Sequence, residues 1–336
     1  MGSSTHMATI KDVAKAANVS TATVSRVINQ SDSVLPETVA KVESVMAQLG
    51  YQIKDNRRLT INQGQDTIGL IVSRFHSPFY GLLTQGVEKI AKKHGRKLIV
   101  ASGNYDIECE EEALKFILSK GCRNIIVHSK AMTDEMLIRY AKQHPGIIII
   151  NRHVAEIESQ CVWLDNSAGT YLATKHLIEQ GHRKIAYLSC EMEVDDKFDR
   201  FKGYQQALAE AGIEFNPDWV EEVPFGEPGG AEAAINLLNK GLPVTALVAF
   251  NDFYAAAAMQ VFKEHGIEIP QRLSIVGFDD VLPQCYFSPK LTTIRSPIES
   301  MAMNAARLSL EGCELPVSNT FHPLLIRRDS VQKPFE

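Results

Sequence analysis

The sequence predicts a small all-α head followed by a larger α/β core of two doubly wound parallel-sheet subdomains. In residues 9–29, apolar side chains recur at helical spacing on either side of a short polar break. From Thr67 onward, short runs of β-branched residues alternate with longer amphipathic stretches, which is typical of parallel sheets covered by helices on both faces. These runs are too many for one compact sheet, so we expect two similar subdomains.

The head begins with a helix-turn-helix. Its first helix has one apolar face, which consists of Ile10, Val13, Ala14 and Ala17. A turn follows at residues 18–20, and the Ser20 hydroxyl is placed to cap the second helix. The outward side of that helix carries Thr21, Ala22, Ser25, Arg26 and Asn29. Small, polar and basic groups at the start of a short helix fit the major groove of DNA, where arginine can pair with guanine.

A third helix is predicted after a polar loop. Pro36 stands where the first helical turn tolerates proline, and an apolar stripe continues to Leu49, just before Gly50. Leu35 occupies the capping position, so we expect this helix to have a weak cap. Residues 51–66 are polar and basic without periodicity, which indicates a linker.

The charge of the chain is unevenly divided. The whole sequence has a net charge of −5, with 45% hydrophobic and 22% charged residues, as in an ordinary globular protein. Residues 8–62 carry seven basic and five acidic side chains, so the remainder is acidic by about seven charges. A locally basic head on an acidic body is typical of a module that docks on nucleic acid.

Several function classes are disfavoured by what the sequence lacks. No apolar run approaches the roughly 20 residues of a membrane span, and no secretory signal precedes the first helix. Residues 1–7 are typical of an expression-vector remnant, with Met7 as the expected native start. The six cysteines are scattered without paired short spacing, which argues against a zinc site or disulfides. We therefore expect a cytoplasmic protein without a metal or a cofactor.

The stretch DVAKAANVSTATVSRVIN resembles the helix-turn-helix of the lactose/galactose repressor family. Its blocks DVA, NVS, TVSRV and IN stand at the family's spacing. The resemblance implies that Arg26 reads a base edge, while Thr21 and Ala22 fill the major groove. It also implies phosphate contacts, which position the protein without specifying sequence, by Thr9, Ser20, Ser25 and Asn29.

In this family a hinge helix follows the head, and one of its leucines enters the minor groove. Such an apolar wedge kinks the duplex and couples the two halves of a dimer. Here Ile53 replaces the customary proline, and Leu59 falls one residue early, with Thr60 in the usual place. Arg58 and Leu59 are the candidate DNA contacts of this atypical hinge.

Residues 67–331 resemble the family's effector-binding core, which is similar to periplasmic sugar-binding proteins. Blocks such as NIIVHSKAMTDEML and SIVGFDDVL are most similar to the galactose-responsive repressors of the family. The implied organisation is a head at 8–52, a hinge at 53–66, a first subdomain at about 67–162 and 295–321, and a second at about 163–294 and 322–331. The absence of a heptad-repeat tail implies a homodimer, which symmetric reading of two DNA half-sites also requires.

A sugar presents a ring of hydroxyls, so its pocket needs planar polar groups and aromatic faces. Ligands of doubly wound folds bind beyond the carboxyl ends of the strands, here in a cleft between the subdomains. The residues expected there are Phe79, Tyr80, Asn151 and Arg152 in the first subdomain, and Arg200, Phe225, Asn251 and Asp279 in the second. The latter four match ligand-contacting positions of the sugar-binding proteins, whereas Ser296 stands where some relatives have glutamine.

Some of these residues and their neighbours have plainer interpretations. Core packing is the alternative for Phe79 and Phe225. Asp252 and Asp280 are expected to be structural caps. His76, His128 and His153 lie near loop ends, where contact with a ligand is the alternative, but surface positions are expected for them.

Together these features predict a sugar-responsive, sequence-specific DNA-binding repressor of a sugar utilisation operon. The effector, for which the resemblance implies D-galactose, would release it from a palindromic operator. Four alternatives remain: a sugar-transport receptor with the same core, an enzyme, a repressor of the same family with another effector, and a repressor whose ligand strengthens DNA binding. The helix-turn-helix and the missing secretory signal argue against the first. The absence of GxSxG, GxxxxGK[ST], HExxH and post-strand GxGxxG motifs argues against the second.

Overall fold

The computed structural model describes residues 8–28, 34–49, 51, 66–310 and 319–334. The chain divides into two compact units, Met1–Ile61 and Asn62–Glu336. The predicted fold class is confirmed, because the first unit is helical and the second contains two largely parallel sheets with helices on both faces. No helix within the described ranges has the length and the apolar run that crossing a membrane requires.

The described residues of the head form three short helices. They are α1 (Ile10–Ala17), α2 (Thr21–Ile28) and α3 (Pro36–Gln48). Their small shared core consists of Val13, Ala14, Ala17, Val24, Val27 and Val42. Apolar residues at helical spacing therefore face inward, as predicted.

Side-chain caps fix where the first two helices of the head begin. The Thr9 hydroxyl accepts from the Asp12 amide, and the Asp12 carboxylate accepts from the Thr9 amide at 2.8 Å, which is a capping box. Ser20 caps α2 as predicted, because its Oγ accepts from the Thr23 amide at 3.0 Å. Leu35 makes no side-chain cap on α3, also as predicted.

The second unit contains strands and helices in regular alternation. Its strands are β1 (Thr67–Val72), β2 (Lys97–Ser102), β3 (Asn124–Val127), β4 (Ile147–Ile150), β5 (Cys161–Leu164), β6 (Ile185–Cys190), β7 (Val220–Val223), β8 (Ala246–Ala249), β9 (Ser274–Asp279), β10 (Thr292–Arg295), β11 (Thr320–Phe321) and β12 (Leu324–Ile326). Its helices are α4 (Pro78–Lys93), α5 (Ile107–Ser119), α6 (Asp134–Gln143), α7 (Asn166–Glu179), α8 (Asp195–Glu210), α9 (Glu227–Asn239), α10 (Asp252–Glu264) and α11 (Ile298–Ser309).

These elements form two lobes. The first lobe contains the parallel sheet β11-β5-β4-β3-β1-β2 with helices α4, α5, α6 and α11. The second lobe contains the sheet β12-β10-β9-β8-β6-β7 with helices α7 to α10, and only β12 of its described strands runs antiparallel to its neighbour. The chain passes between the lobes after β5, between β10 and α11, and between β11 and β12.

Close packing of α7 on α8 positions two functional side chains of the second lobe. Gly203 of α8 lies against the backbone of α7, and a Cβ at this position would lie 2.1 Å from the carbonyl oxygen of Ser167. Only glycine permits this approach. Asp196 and Arg200 lie two turns and one turn earlier on the same helix, so the packing at Gly203 fixes where they point.

Candidate functional site

A cavity of about 420 Å³ lies between the two lobes at the carboxyl ends of their strands. Its size is within the roughly 300–1,000 Å³ range of small-molecule pockets. The first lobe contributes mainly aromatic and basic side chains, which include Phe79, Tyr80, Tyr105, His128 and Lys130. The second lobe contributes a more polar wall with aromatic edges, which includes Asp196, Arg200, Phe225, Asn251 and Asp279.

Seven of the eight residues predicted to bind ligand line this cavity. They are Phe79, Tyr80, Asn151, Arg200, Phe225, Asn251 and Asp279. Arg152 does not line it. Its guanidinium donates to the Met132 carbonyl at 2.8 Å and contacts Asp134 and Asp195. These contacts hold the Arg152 side chain away from the cavity wall, to which Asn151 belongs.

Arg200 organises the polar wall of the second lobe. Its Nε donates to Asn166 Oδ1 at 2.8 Å, its Nη1 to the Phe250 carbonyl at 2.6 Å and its Nη2 to Asp279 Oδ1 at 3.3 Å. The guanidinium carbon also lies 3.7 Å from the centroid of the Phe278 ring. Because hydrogen bonds and the Phe278 ring hold its guanidinium in place, Arg200 is a rigid donor rather than a mobile surface cation.

Asp279 has one carboxylate oxygen left for a ligand. Both hydrogen bonds that it accepts among the described residues, from Arg200 and from Ser296, go to Oδ1. Burial raises the pKa of Asp279 above its ordinary value, against the opposing charge of Arg200. Its backbone φ of 98° is in the left-handed region, which a non-glycine residue adopts only when its surroundings hold it there.

Asn251 has a double role at the start of α10. Its Oδ1 accepts from the Phe253 and Tyr254 amides at 3.0 and 3.1 Å, which caps the helix. The amide nitrogen of the same side chain therefore remains as a donor at the cavity wall. The neighbouring Asp252 does not cap this helix.

Asp252 and Asp280 are structural residues, but not in the capping role expected for them. Asp252 is fully buried and accepts from Thr293 Oγ1 at 2.5 Å and from the Val281 amide at 3.1 Å. Asp280 forms ion pairs with Arg295 and Arg328. Both carboxyl groups therefore brace the segment that joins β9 to β10.

The first lobe presents an aromatic wall that continues across the cleft. The Tyr80 and Tyr105 hydroxyls are 2.6 Å apart, and the Tyr105 ring lies 5.5 Å from that of Phe225 in the second lobe. Phe79 packs edge-on against Tyr80 at 5.2 Å. Ring faces and edges on both sides of a cavity suit the apolar C–H surfaces of a sugar.

The expected surface position of His128 is wrong. The side chain is buried, its Nδ1 lies 3.1 Å from Ser73 Oγ, and its ring packs edge-on against Phe79 and Tyr80. Burial, with a smaller effect from Lys130, lowers the pKa of His128 to about 3, so the ring is neutral near pH 7. His76 is exposed but lines the cavity, whereas His153 is exposed beside Trp163.

Sequence reasoning missed Tyr105, Lys130 and Asp196 as cavity residues. Tyr105 follows β2 and Lys130 follows β3, so the rule that nominated Asn151 after β4 applied equally to them. Asp196 stands four residues before Arg200 on α8, which places the two side chains on one helix face.

The predicted DNA contacts of the head lie mostly on its exposed surface. Thr21, Ala22 and Arg26 are exposed on α2, and Ser25 is half-buried beside them. Thr9 and Ser20 are exposed at the beginnings of α1 and α2. Asn29, Arg58 and Leu59 lie outside the described residues.

Comparison with known proteins assigns each of the two units to a protein family. Residues 9–53 match the family described as bacterial regulatory proteins, lacI family. Residues 65–313 match the family described as periplasmic binding proteins and sugar binding domain of LacI family. The chain belongs to the LacI family.

Individual relatives of this LacI-family chain match it almost from end to end. The HTH-type transcriptional regulator GalR of Escherichia coli (strain K12) is 42% identical over 335 residues, which cover 98% of this chain and 97% of GalR. GalS of Salmonella typhimurium (strain LT2) is 39% identical and covers 97% of each chain. The lac repressor dimer bound to operator and the anti-inducer ONPF has a TM-score of 0.71 and 25% identity, covering 97% of this chain and 100% of that one.

Membership of the LacI family establishes the general activity. The family matched by residues 9–53 is one of bacterial regulatory proteins, the family matched by residues 65–313 includes the sugar-binding domain of LacI-family proteins, and the curated relatives are HTH-type transcriptional regulators rather than enzymes. This LacI-family protein is therefore a sugar-responsive transcriptional repressor with a helix-turn-helix head and a sugar-binding core.

Proposed function

We propose that the protein is a homodimeric repressor of a galactose utilisation operon, released from a palindromic operator when D-galactose binds in the cavity between the lobes. The observation that carries this proposal is the polar wall of Arg200, Asn251 and Asp279. It offers fixed donors and an unused carboxylate oxygen, and the first lobe adds the aromatic faces of Phe79 and Tyr80. The 42% identity to GalR supports galactose as the sugar.

The charges around the cavity favour a neutral ligand. Lys130 pairs with Asp196 at 2.9 Å, Arg200 lies 3.3 Å from Asp279, and the Arg74 guanidinium lies over the Tyr105 ring. Lys130 and Arg200 already have a carboxylate partner, so the phosphate of a phosphorylated sugar would have to break one of these ion pairs to reach either cation. A neutral polyol can instead share the donors and acceptors that are present.

Release follows from binding across two lobes. A ligand that contacts both walls favours one angle between the lobes, and it can shift the equilibrium only by its differential affinity for the two angles. In our proposal that angle sets the spacing of the two heads in the dimer, as in rigid-body allosteric transitions. This mechanism of release requires three parts of the chain, which are the head at 8–52, the hinge at 53–66 and the core at 67–331.

On the DNA side, we propose that Arg26 reads a base edge while Thr21 and Ala22 fill the major groove. Phosphate contacts by Thr9, Ser20, Ser25 and Asn29 would hold each head in register. Arg58 and Leu59 would act in the minor groove, which couples the two half-sites. Operator binding places the protein in the cytoplasm, where bacterial DNA is held.

Isothermal titration calorimetry tests the proposed effector class. D-galactose is expected to bind the wild-type protein, whereas galactose 6-phosphate and hypoxanthine are not. The double variant Asn251→Ala/Asp279→Ala is expected to lose D-galactose binding, because a donor and an acceptor of the polar wall are removed together.

A matched control uses the same residue types outside the cavity. Asn216 and Asp218 lie on a short turn of the second lobe, where the Asn216 side chain caps the Asp218 amide. Asn216→Ala/Asp218→Ala should bind D-galactose as the wild type does. Unchanged binding by the Asn251→Ala/Asp279→Ala variant would refute the proposed pocket. Binding of hypoxanthine or of the sugar phosphate in place of D-galactose would refute the effector class.

A further inference from the structure

A fully buried glutamate of the first lobe holds the loop that follows β3. Glu110 of α5 is 0% exposed and, among the described residues, pairs with no lysine or arginine. Instead its carboxylate accepts four hydrogen bonds from residues 129–132. The donors are Ser129 Oγ at 2.5 Å and the backbone amides of Lys130, Ala131 and Met132 at 3.0, 3.1 and 3.0 Å. Four donors offset the cost of burying this carboxyl group without a neighbouring cation.

The loop held by Glu110 carries a lysine that joins the two lobes, alongside the contacts of Asn151 with Asp196 and of Arg152 with Asp195. Lys130 Nζ donates to the Asn151 carbonyl of its own lobe at 2.8 Å and to Asp196 Oδ1 of the second lobe at 2.9 Å. The side chains of Lys130 and Asp196 are only 6% and 13% exposed. A pair so little exposed to water needs exact placement, since the attraction offsets the cost of desolvation only in good geometry.

The pair between Lys130 and Asp196 is connected to the polar wall of the cavity. Asn166 Nδ2 donates to Asp196 Oδ1 at 3.3 Å, and Asn166 Oδ1 accepts from Arg200 Nε. Arg200 in turn reaches Asp279. A ligand that draws on Arg200 or Asp279 therefore acts on the same hydrogen-bond network that ties the lobes together.

We propose that Glu110 is a positioning residue of the effector response: it fixes Lys130 so that the pair with Asp196 holds the lobes at a defined separation. Glu110 itself is not among the residues that line the cavity and acts through Lys130. The consequence for transcription rests on the proposed function, in which the angle between the lobes controls operator binding. The effect of Glu110 on the separation of the lobes, measured without DNA or sugar, does not depend on the proposed function.

The separation can be measured by pulsed electron paramagnetic resonance between two nitroxide labels. Exposed helix positions in the two lobes, Lys142→Cys on α6 and Glu179→Cys on α7, carry the labels. The two exposed thiols of the described residues are removed by Cys109→Ser and Cys285→Ser. Cys313, which lies outside the described residues, is also replaced by serine. Labelled protein is mixed with excess unlabelled protein, so that any dimer contains one labelled chain.

A double-mutant cycle separates positioning from general stability. In ligand-free protein, Lys130→Met and Glu110→Gln are each expected to lengthen or broaden the distance between the lobes. Glu110→Gln is expected to add nothing to the distance in the Lys130→Met background, since it acts through that lysine. If Glu110 merely stabilised the first lobe, Glu110→Gln would lower the midpoint of thermal unfolding in both backgrounds and leave the distance between the labels unchanged.

Glu111→Gln is the matched control, because the neighbouring Glu111 contacts Lys115, Arg139 and Tyr140 outside the cavity. It should leave the distance at the wild-type value. If Glu110→Gln does not fold, Ser129→Ala removes one of the four hydrogen bonds and should shift the distance in the same direction by less. A wild-type distance in Glu110→Gln or in Ser129→Ala, or equal shifts in both lysine backgrounds, would overturn the proposal.

Discussion

Asp252→Asn is expected to flatten the pH dependence of the free energy of unfolding between about pH 4 and pH 8. Burial raises the pKa of Asp252 to about 8, and the nearby Asp279 adds to this shift. In that window the folded protein holds the proton while the unfolded chain, with an ordinary pKa of about 4, has released it. The wild type therefore loses stability as the pH rises, by about 1.4 kcal/mol per pH unit from this group.

Asparagine can replace the protonated aspartic acid in the same hydrogen bonds. Its amide oxygen can accept from the Val281 amide. The Thr293 hydroxyl, which donates to Asp252 Oδ1, can rotate to accept from the asparagine NH₂ instead, because a hydroxyl is both a donor and an acceptor. Urea unfolding of wild type and variant at several pH values measures the effect. The free energy of unfolding of Asp252→Asn minus that of the wild type should increase with pH up to about pH 8 and then level off. Curves of the free energy of unfolding against pH that stay parallel for the wild type and Asp252→Asn would contradict the assignment.

Arg200→Met is expected to destabilise the protein and to weaken sugar binding together. Removing the guanidinium leaves the buried Asp279 carboxylate without its cation, and it leaves Asn166 Oδ1 and the Phe250 carbonyl without a donor. Breaking one partner of a buried pair typically costs about 3–5 kcal/mol. Loss of a charged hydrogen bond to a sugar hydroxyl, about 1.5–3 kcal/mol, should weaken binding roughly tenfold to a hundredfold.

A second substitution separates the two effects of Arg200→Met. The double variant Arg200→Met/Asp279→Asn no longer contains the unpaired charge, so urea unfolding should show that much of the lost stability is recovered. Calorimetry should show that sugar binding is not recovered, because the donor and the carboxylate are both absent. If the double variant is no more stable than Arg200→Met alone, the broken ion pair between Arg200 and Asp279 is not the source of the lost stability.

The fold could be predicted from local patterns because each pattern has a local physical cause. Apolar spacing in residues 10–17 places one helix face inward, and the Ser20 hydroxyl caps α2 at the next turn. The run Ile147–Ile150 is buried on both faces because helices cover both sides of a parallel sheet. The antiparallel direction of β12 had no such local signal.

The cavity was only partly predictable, because some of its residues are defined by partners far away in the sequence. The rule for strand ends located Asn151 and Asp279, which follow or end buried strands. Lys130 acquires its role from Asp196, 66 residues further on and in the other lobe. Arg152 was misplaced because the sequence did not indicate which of two consecutive residues would face the cleft.

Operator release by sugar tests the central claim most directly. Fluorescence anisotropy of a labelled palindromic galactose-type operator would be followed at fixed salt concentration, because affinity for DNA depends strongly on salt. We predict binding well above that of a random duplex, release when D-galactose is titrated in, and no release of the Asn251→Ala/Asp279→Ala variant. Tighter operator binding in the presence of D-galactose, or release of that variant by the sugar, would contradict the account.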